Sequence, residues 1–122
     1  MKKLKYAEIK PTREQKLKEQ NGICAICGQP VALEQAALDH NHTTGAIRQV
    51  LHLSCNAFLG KIENNYRRFG VTDLEKFLSG VASYLERHAY VEPGALVRHP
   101  THKTPEEKKA AAKKKRAKAK TK

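Results

Sequence analysis

The stretch LDHNHTTGAIRQVLHLSCNAFLGK, residues 38–61, concentrates side chains that can bind metals or transfer protons. Imidazole and thiolate groups suit zinc, whereas carboxylate and amide oxygens suit harder cations such as Mg²⁺. A histidine can also take a proton from water near neutral pH. The stretch therefore raises two questions: which side chains hold a structural metal, and which could carry out a reaction.

Two metal half-sites are visible, Cys24-x-x-Cys27 and His52-x-x-Cys55. Two intervening residues let both donors of a pair reach one ion, and four such donors close a tetrahedral zinc site. The set uses all three cysteines of the chain, and Gly28 suits the tight backbone beside it. Because a catalytic zinc keeps one position open for water, the closed set predicts a structural zinc. The alternatives are buried structural cysteines or a redox pair, but no βαβ pattern surrounds the CxxC motif.

Four polar side chains of the stretch remain: Asp39, His40, His42 and Asn56. The oxygens of Asp39 and Asn56 suit a catalytic divalent cation, for which we expect Mg²⁺ or Mn²⁺. His40 can act as the general base that deprotonates water, while the cation stabilises charge on a phosphate. In a regular strand Asp39 and His40 point to opposite faces, so a shared centre requires the strand to bend or end there. The alternative for each residue is a purely structural hydrogen-bonding role.

The ordered motifs CxxC, DHxHxTGxxR and CN resemble the phage recombination endonuclease VII family, within the ββα-metal (His-Me finger, HNH-like) nucleases. The resemblance covers about residues 20–66. It implies a DNA endonuclease, with branched DNA such as Holliday junctions among the family's substrates. It also implies that His40 is the general base, that Asp39 and Asn56 bind the catalytic cation, and that His42 assists at the phosphate.

Two positions depart from the family pattern. Family members usually have cysteine at the position of His52, and glycine at the position of Gln49. Because imidazole also binds zinc, the first departure leaves the predicted Cys3His site in place. The second removes a position at which the backbone could approach a ligand closely.

The pattern predicts an α+β fold with a small zinc-stapled ββα-metal core, flanking helices and a disordered basic tail. We place the nuclease domain at residues 1–90, a connector at 91–102 and the Lys/Ala-rich tail at 103–122. Segments on either side of TTGA are predicted to pair as a β-hairpin. Helices are predicted from Thr12 to about Glu19, from Ser54 to about Tyr66, and from Thr72 onward. Apolar residues at helical spacing in the last helix are predicted to be core: Leu74, Phe77, Leu78, Val81, Tyr84 and Leu85.

The formal charge of +12 is unevenly distributed, because residues 103–122 contain ten Lys or Arg and two Glu. Such a charge predicts a polyanionic partner, and the nuclease interpretation favours DNA over RNA. Candidate phosphate contacts are Arg48, Lys61, Arg67 and Arg68, with an ordinary solvated face as the alternative. The tail lacks an apolar stripe and is predicted to be disordered or only transiently helical when alone, although Thr104 and Pro105 could start a helix. A tail that serves only solubility is a second possibility.

The N-terminus lacks the apolar run of a secretory signal, and no stretch approaches the roughly 20 apolar residues of a membrane span. We therefore expect a cytoplasmic protein, in a bacterium or as a phage protein in its host, with no membrane partner. Two rival functions stay open: a non-catalytic zinc-finger DNA-binding module and an RNA-processing or RNA-binding protein. A homodimer is also open, since cutting both strands symmetrically requires two active sites or two binding events.

Overall fold

The computed structural model describes residues 2–120 and shows a mixed α+β architecture. Its main elements are α1 (Tyr6–Glu19), β1 (Ala36–His40), β2 (Ile47–His52), α2 (Leu53–Asn65), α3 (Leu74–Arg87) and α4 (Pro105–Lys120). A compact first unit ends at Leu78 and a second begins at Ser79. The last two residues of the predicted tail, 121 and 122, lie outside the described range. The predicted domain boundaries at 90 and 102 stay predictions.

Helix α1 begins six residues earlier than predicted, at Tyr6 instead of Thr12. Glu8 forms the capping box, because its carboxylate accepts the Lys5 backbone N–H at 3.0 Å. The predicted start was wrong because Thr12 and Gln15 have the spacing of a capping box but both lie inside this helix. The predicted stop is confirmed: α1 ends at Glu19 and is followed by the left-handed residues Asn21 and Gly22.

The predicted β-hairpin is confirmed as the antiparallel pair β1 and β2. Leu38 lies opposite Val50, but His40 lies opposite Ile47, so β2 contains one extra residue between the two pairs. This bulge breaks the regular alternation at Asp39. The hairpin is central to a small core in which Val50 is fully buried, and the core consists of Leu17, Cys24, Val31, Ala36, Val50 and Leu51.

Helix α2 follows β2 without a loop, beginning at Leu53. The predicted N-cap, Ser54, was wrong by two residues, because the backbone of His52 occupies the N-cap position. The helix ends at Asn65, close to the predicted Tyr66, and Gly70 in the following turn has a φ of +86°. Cys55 and Asn56 therefore both lie in the first turn of α2, immediately after the hairpin.

Helix α3 begins at Leu74, and its cap is Asp73 instead of the predicted Thr72. The Asp73 carboxylate accepts the backbone N–H of Lys76 at 3.1 Å. The prediction that its apolar stripe forms core was wrong: none of the residues of α3, all of which are described, is buried. Phe77 is 50 % exposed and Leu85 is 61 % exposed. Helical spacing indicates that apolar residues share one face, but not that another part of the chain covers that face.

The basic tail is helical in the structure as α4, where the sequence predicts a segment that is disordered or only transiently helical when alone. Thr104 Oγ1 accepts the Glu107 N–H at 3.1 Å, and Pro105 occupies the first helical position. The remaining sequence is almost entirely Lys and Ala, which are strong helix formers. Every side chain of α4 is exposed, so capping and propensity account for this helix without packing. None of the described helices is long and apolar enough to cross a membrane.

Candidate functional site

The two predicted metal half-sites come together at the junction of β2 and α2. The ligand atoms of Cys24, Cys27, His52 and Cys55 all lie within 4.8 Å of one another. Ligands bound to a tetrahedral zinc at about 2.0–2.3 Å are separated by roughly 4 Å, so the set can hold one zinc ion. Cys24 is buried and Cys27 is exposed, which places the group at the edge of the core. The four side chains join the loop after α1 to the hairpin and to α2.

A tight turn holds the first pair of cysteines in place. Gly28 has a φ of +72°, a conformation that side chains other than glycine rarely adopt, and this confirms its predicted role. Its N–H donates to the Cys24 carbonyl at 3.1 Å, and the Cys24 N–H donates to the Gln29 carbonyl at 2.9 Å. These bonds fold the chain back on itself and bring the two sulfurs to one side of the turn.

The imidazole of His52 has a defined orientation and tautomer. Its Nε2 lies 3.0 Å from the Pro30 carbonyl oxygen, which can only accept a hydrogen bond, so Nε2 carries the proton. Nδ1 therefore presents its lone pair to the cysteines, 3.2 Å from Cys27 Sγ. Metal-binding histidines typically use one nitrogen for the ion and donate the other to a carbonyl or carboxylate. His52 satisfies this requirement as a zinc ligand.

The thiols of the group differ in their acidity. Burial raises the pKa of the Cys24 thiol, but the backbone N–H groups of Cys27, His52 and Ile26 point at its sulfur, and the net pKa falls to about 6. Burial, followed by hydrogen bonding with the Cys27 and Cys24 sulfurs, raises the pKa of Cys55 to about 11. A second thiolate is thus disfavoured unless a cation lies beside it. A zinc ion supplies that positive charge and releases the protons.

Gln20 joins the metal loop to the hairpin, a role that the sequence did not reveal. Its Nε2 donates to the carbonyls of Ile23 at 2.8 Å and Val50 at 2.9 Å, and its Oε1 accepts the Val50 N–H at 2.7 Å. The side chain thus satisfies both backbone groups of the most deeply buried hairpin residue. No local motif distinguishes such a glutamine from an exposed one.

The second set of predicted residues lies at the bulged end of β1. Asp39 is 5 % exposed, and both of its carboxylate oxygens accept hydrogen bonds from the Arg48 guanidinium. His40 is exposed, and its ring stacks on His42 with centroids 4.8 Å apart and planes 7° apart. β1 ends at His40, which meets the condition that the strand bend or end there. Asn56 is partly buried in the first turn of α2, and no hydrogen bond or ring contact within residues 2–120 joins it to Asp39 or His40.

The turn that carries His42 is organised by Asn41, which sequence reasoning did not single out. The Asn41 side-chain oxygen accepts the N–H groups of Thr43 at 2.8 Å and Thr44 at 3.0 Å. The Asn41 backbone N–H donates to Ala46 at 2.8 Å, which closes the loop. An asparagine that begins such a turn was the available signal. Its effect is to fix the backbone on both sides of His42.

A cavity lies beside His40 within the first unit. It has a volume of about 470 Å³, and His40, Gly45 and Ile47 form one side. Lys2, Lys3 and other residues of the N-terminal segment form the other side. Sequence reasoning did not place these lysines near His40. Lys2 is paired with Glu8 at 3.3 Å, so the net positive charge on this side of the imidazole comes from Lys3.

Arg48 is engaged by carboxylates in the structure. It is hydrogen-bonded to Glu63 in α2 as well as to Asp39, and the Glu63 and Asp39 carboxylates raise the pKa of its guanidinium further. Its predicted contact with phosphate stays a prediction. Sequence reasoning missed Glu63 entirely, because a carboxylate on a polar helix face carries no signal of its partner.

The other predicted phosphate contacts surround the end of α2. Lys61 and Arg68 line an apolar groove that also includes Tyr66 and Phe69. The Arg68 guanidinium donates to the Asn65 side-chain oxygen at 2.8 Å. Arg67 lies over the Tyr66 ring, 5.5 Å from its centroid. These cations lie near aromatic side chains, an arrangement that suits contact with nucleic acid.

A hairpin that continues directly into a helix, with a Cys3His group at the junction, defines a small α+β domain with a candidate structural metal site. The model of the recombination endonuclease VII family matches residues 1–87, most of the chain. The chain therefore belongs to the recombination endonuclease VII family, which indicates a DNA endonuclease. The match confirms the resemblance seen in the motifs and extends it to both sides of residues 20–66. Comparison with curated proteins found no match.

Proposed function

We propose that this protein is a Mg²⁺- or Mn²⁺-dependent endonuclease that hydrolyses DNA phosphodiester bonds, with branched or nicked DNA among its candidate substrates. The observation that carries the proposal is the contrast between two neighbouring residues. Asp39 is buried beside Arg48, whereas His40 is exposed at the end of the strand and stacked on His42. A carboxylate fixed in position next to an accessible base is an arrangement that a metal-assisted hydrolase can use.

Asp39 and Asn56 are the proposed ligands of the catalytic cation. Each carboxylate oxygen has two lone-pair sites, and Arg48 uses one on each oxygen of Asp39, so acceptor capacity remains for a cation. The all-oxygen donor set suits Mg²⁺ or Mn²⁺ better than zinc. When bound, the cation stabilises negative charge that develops on the scissile phosphate and the leaving oxygen.

His40 is the proposed general base. Its exposed imidazole can accept a proton from a water molecule that then attacks phosphorus. The His40 ring lies parallel to the His42 ring, so the two imidazoles lie side by side at the end of β1. His42 is exposed beside it and can donate to a phosphate oxygen.

Positive charge beside His40 and around the end of α2 supports DNA as the substrate. Lys2 and Lys3 line the cavity beside the imidazole, and Lys61, Arg67 and Arg68 lie on or after α2. Such side chains contact phosphates without reading the sequence of bases. The exposed helix α4 adds a further dense row of lysines. We infer that affinity for DNA depends strongly on salt concentration.

A plasmid assay tests the proposed function. Zinc-loaded protein is incubated with supercoiled plasmid, with added Mg²⁺ or with Mg²⁺ omitted, so that no chelator removes zinc. Nicked or linear product is expected only with Mg²⁺. Oligonucleotide duplexes, nicked duplexes and four-way junctions of matched sequence then show which form is cut fastest. DNA binding without product from any of these substrates would favour the zinc-finger binding module, and preferential binding or cleavage of RNA would favour the RNA-protein rival.

The contribution of the basic tail gives a separate prediction. Lys113, Lys114 and Lys115 are exposed on α4, and replacing all three with Gln is expected to weaken DNA binding. The slope of log K against log salt concentration is negative, and each lost phosphate contact makes it shallower by about 0.9. The three substitutions should therefore make the slope shallower by roughly 2 to 3. Fluorescence anisotropy across a salt series measures it. Replacing the same residues with Arg keeps the charge and should keep the slope; an unchanged slope in the Gln variant would remove these lysines from the binding surface.

A further inference from the structure

Arg48 lies between two carboxylates that come from different elements. Its Nε and Nη2 donate to Asp39 Oδ2 and Oδ1 at 2.5 and 3.1 Å. Its Nη2 and Nη1 donate to Glu63 Oε1 and Oε2 at 2.9 and 3.1 Å. We call these three side chains the Asp39–Arg48–Glu63 group. It contains two carboxylates and one guanidinium, so it has one net negative charge.

The two carboxylates differ in burial and therefore in how strongly each depends on Arg48. The Asp39 side chain is only 6 % exposed, so its carboxylate requires a partner. Among residues 2–120 Arg48 supplies that partner, through bidentate hydrogen bonds. The Glu63 side chain is 24 % exposed and can be hydrated, so it does not need Arg48 to the same degree. Glu63 is therefore not required to satisfy Asp39. Its contribution is to offset the charge of Arg48.

Helix α2 places Glu63 on the same face as the proposed cation ligand Asn56. The two residues are seven positions apart, which is two helical turns or about 10 Å along the axis. Leu59, between them on this face, lines a small cavity together with Asp39 and Arg48. One side of α2 thus faces the Asp39–Arg48–Glu63 group and also carries Asn56.

We propose that Glu63, acting through Arg48, sets the affinity of Asp39 for the catalytic divalent cation. Without Glu63, the guanidinium would neutralise Asp39 and leave the group with no net charge to attract a divalent ion. With Glu63, Arg48 still orients and solvates the buried carboxylate, but one negative charge remains. Glu63 is a positioning residue, since it does not touch the proposed reacting atoms. This inference rests on the proposed function, because it assumes a cation at Asp39.

Binding of Mn²⁺ to the full-length, zinc-loaded protein tests the inference without DNA. Free Mn²⁺ is measured by electron paramagnetic resonance, and Asp39→Asn defines the background from other sites. Glu63→Gln keeps the size of the side chain and is expected to weaken Mn²⁺ binding on the order of tenfold, from loss of one nearby charge. Glu34→Gln makes the same charge change at an exposed residue outside the group and should bind as the wild type does.

The direction in which a second variant changes Mn²⁺ affinity separates this role from a merely structural one. Arg48→Gln removes the cation of the group and is expected to tighten Mn²⁺ binding, even if cleavage falls because Asp39 is less well oriented. The double variant Arg48→Gln/Glu63→Gln restores one net negative charge and should return affinity towards the wild-type value. A structural role would instead weaken binding in all three variants. Thermal melting and zinc content accompany each measurement.

Two outcomes would refute the inference in different ways. If Asp39→Asn lowers Mn²⁺ binding but Glu63→Gln binds as tightly as the wild type, Glu63 has no role in cation affinity, and the proposed nuclease site stands. If Asp39→Asn and the wild type bind Mn²⁺ equally, Asp39 holds no cation. The cation site in the proposed function then fails, and the role of Glu63 fails with it.

Discussion

Replacing His40 with Ala should lower the rate of DNA cleavage by about 10²–10⁴-fold, the usual contribution of a positioned general base. His40 is exposed and its ring contact is with His42 alone among the described residues, so its loss should leave fold and zinc content unchanged. Cleavage of supercoiled plasmid at saturating Mg²⁺ measures the effect, with DNA affinity determined separately. A large drop in rate at unchanged affinity would indicate loss of chemistry and not of binding.

Three controls distinguish a base from a residue that only shapes the hairpin. His42→Ala removes the same ring stack but keeps His40, so its loss of rate should be smaller. Added imidazole should partly restore cleavage by His40→Ala, because a free base can enter the space that the ring occupied. His88→Ala, at an exposed histidine in the second unit, should have no effect. A His40→Ala protein that cuts at the wild-type rate would refute the assignment of the base.

The sequence was sufficient for those parts of the site that depend on short-range spacing. CxxC and HxxC each place two donors within reach of one ion, and they come together in the structure as predicted. The hairpin was also predictable, because its two strands flank a short polar turn that contains Gly45. Residue spacing could not predict the bulge opposite Asp39. An extra residue in one strand is recognised only when the pairing register of the two strands is known.

Long-range partners account for most of what sequence reasoning missed. Gln20 bonds to Val50 across 30 residues, and Glu63 bonds to Arg48 across 15. The sequence suggests phosphate as a partner of Arg48 but does not reveal its carboxylate partners Asp39 and Glu63. The two carboxylates that engage it became visible only when α2 was docked on the hairpin. The error at α3 is of the same kind, because an apolar stripe specifies a face but not what packs against it.

The second large effect is expected at the zinc group, where Cys55→Ser should abolish zinc binding and unfold the first unit. The described core contains only six buried apolar residues, too few to supply much stability without a metal. Binding of structural zinc contributes about 10–16 kcal/mol in zinc-finger peptides, comparable to the entire stability of many domains, about 5–15 kcal/mol. Zinc stoichiometry by elemental analysis, together with thermal unfolding by circular dichroism, measures both consequences.

Neighbouring residues provide the sharpest control for this prediction. Asn56 follows Cys55 in the first turn of α2, so Asn56→Ala should keep zinc and fold but lose cleavage, whereas Cys55→Ser should lose all three. His52→Cys should retain zinc, because a thiolate is also a zinc ligand, although it loses the bond to Pro30. If Cys55→Ser were folded, free of zinc and still active, the metal group would have no structural role. If Asn56→Ala also lost zinc, Asn56 would be needed for zinc binding. The assignment of Asn56 to a separate catalytic site would then be contradicted.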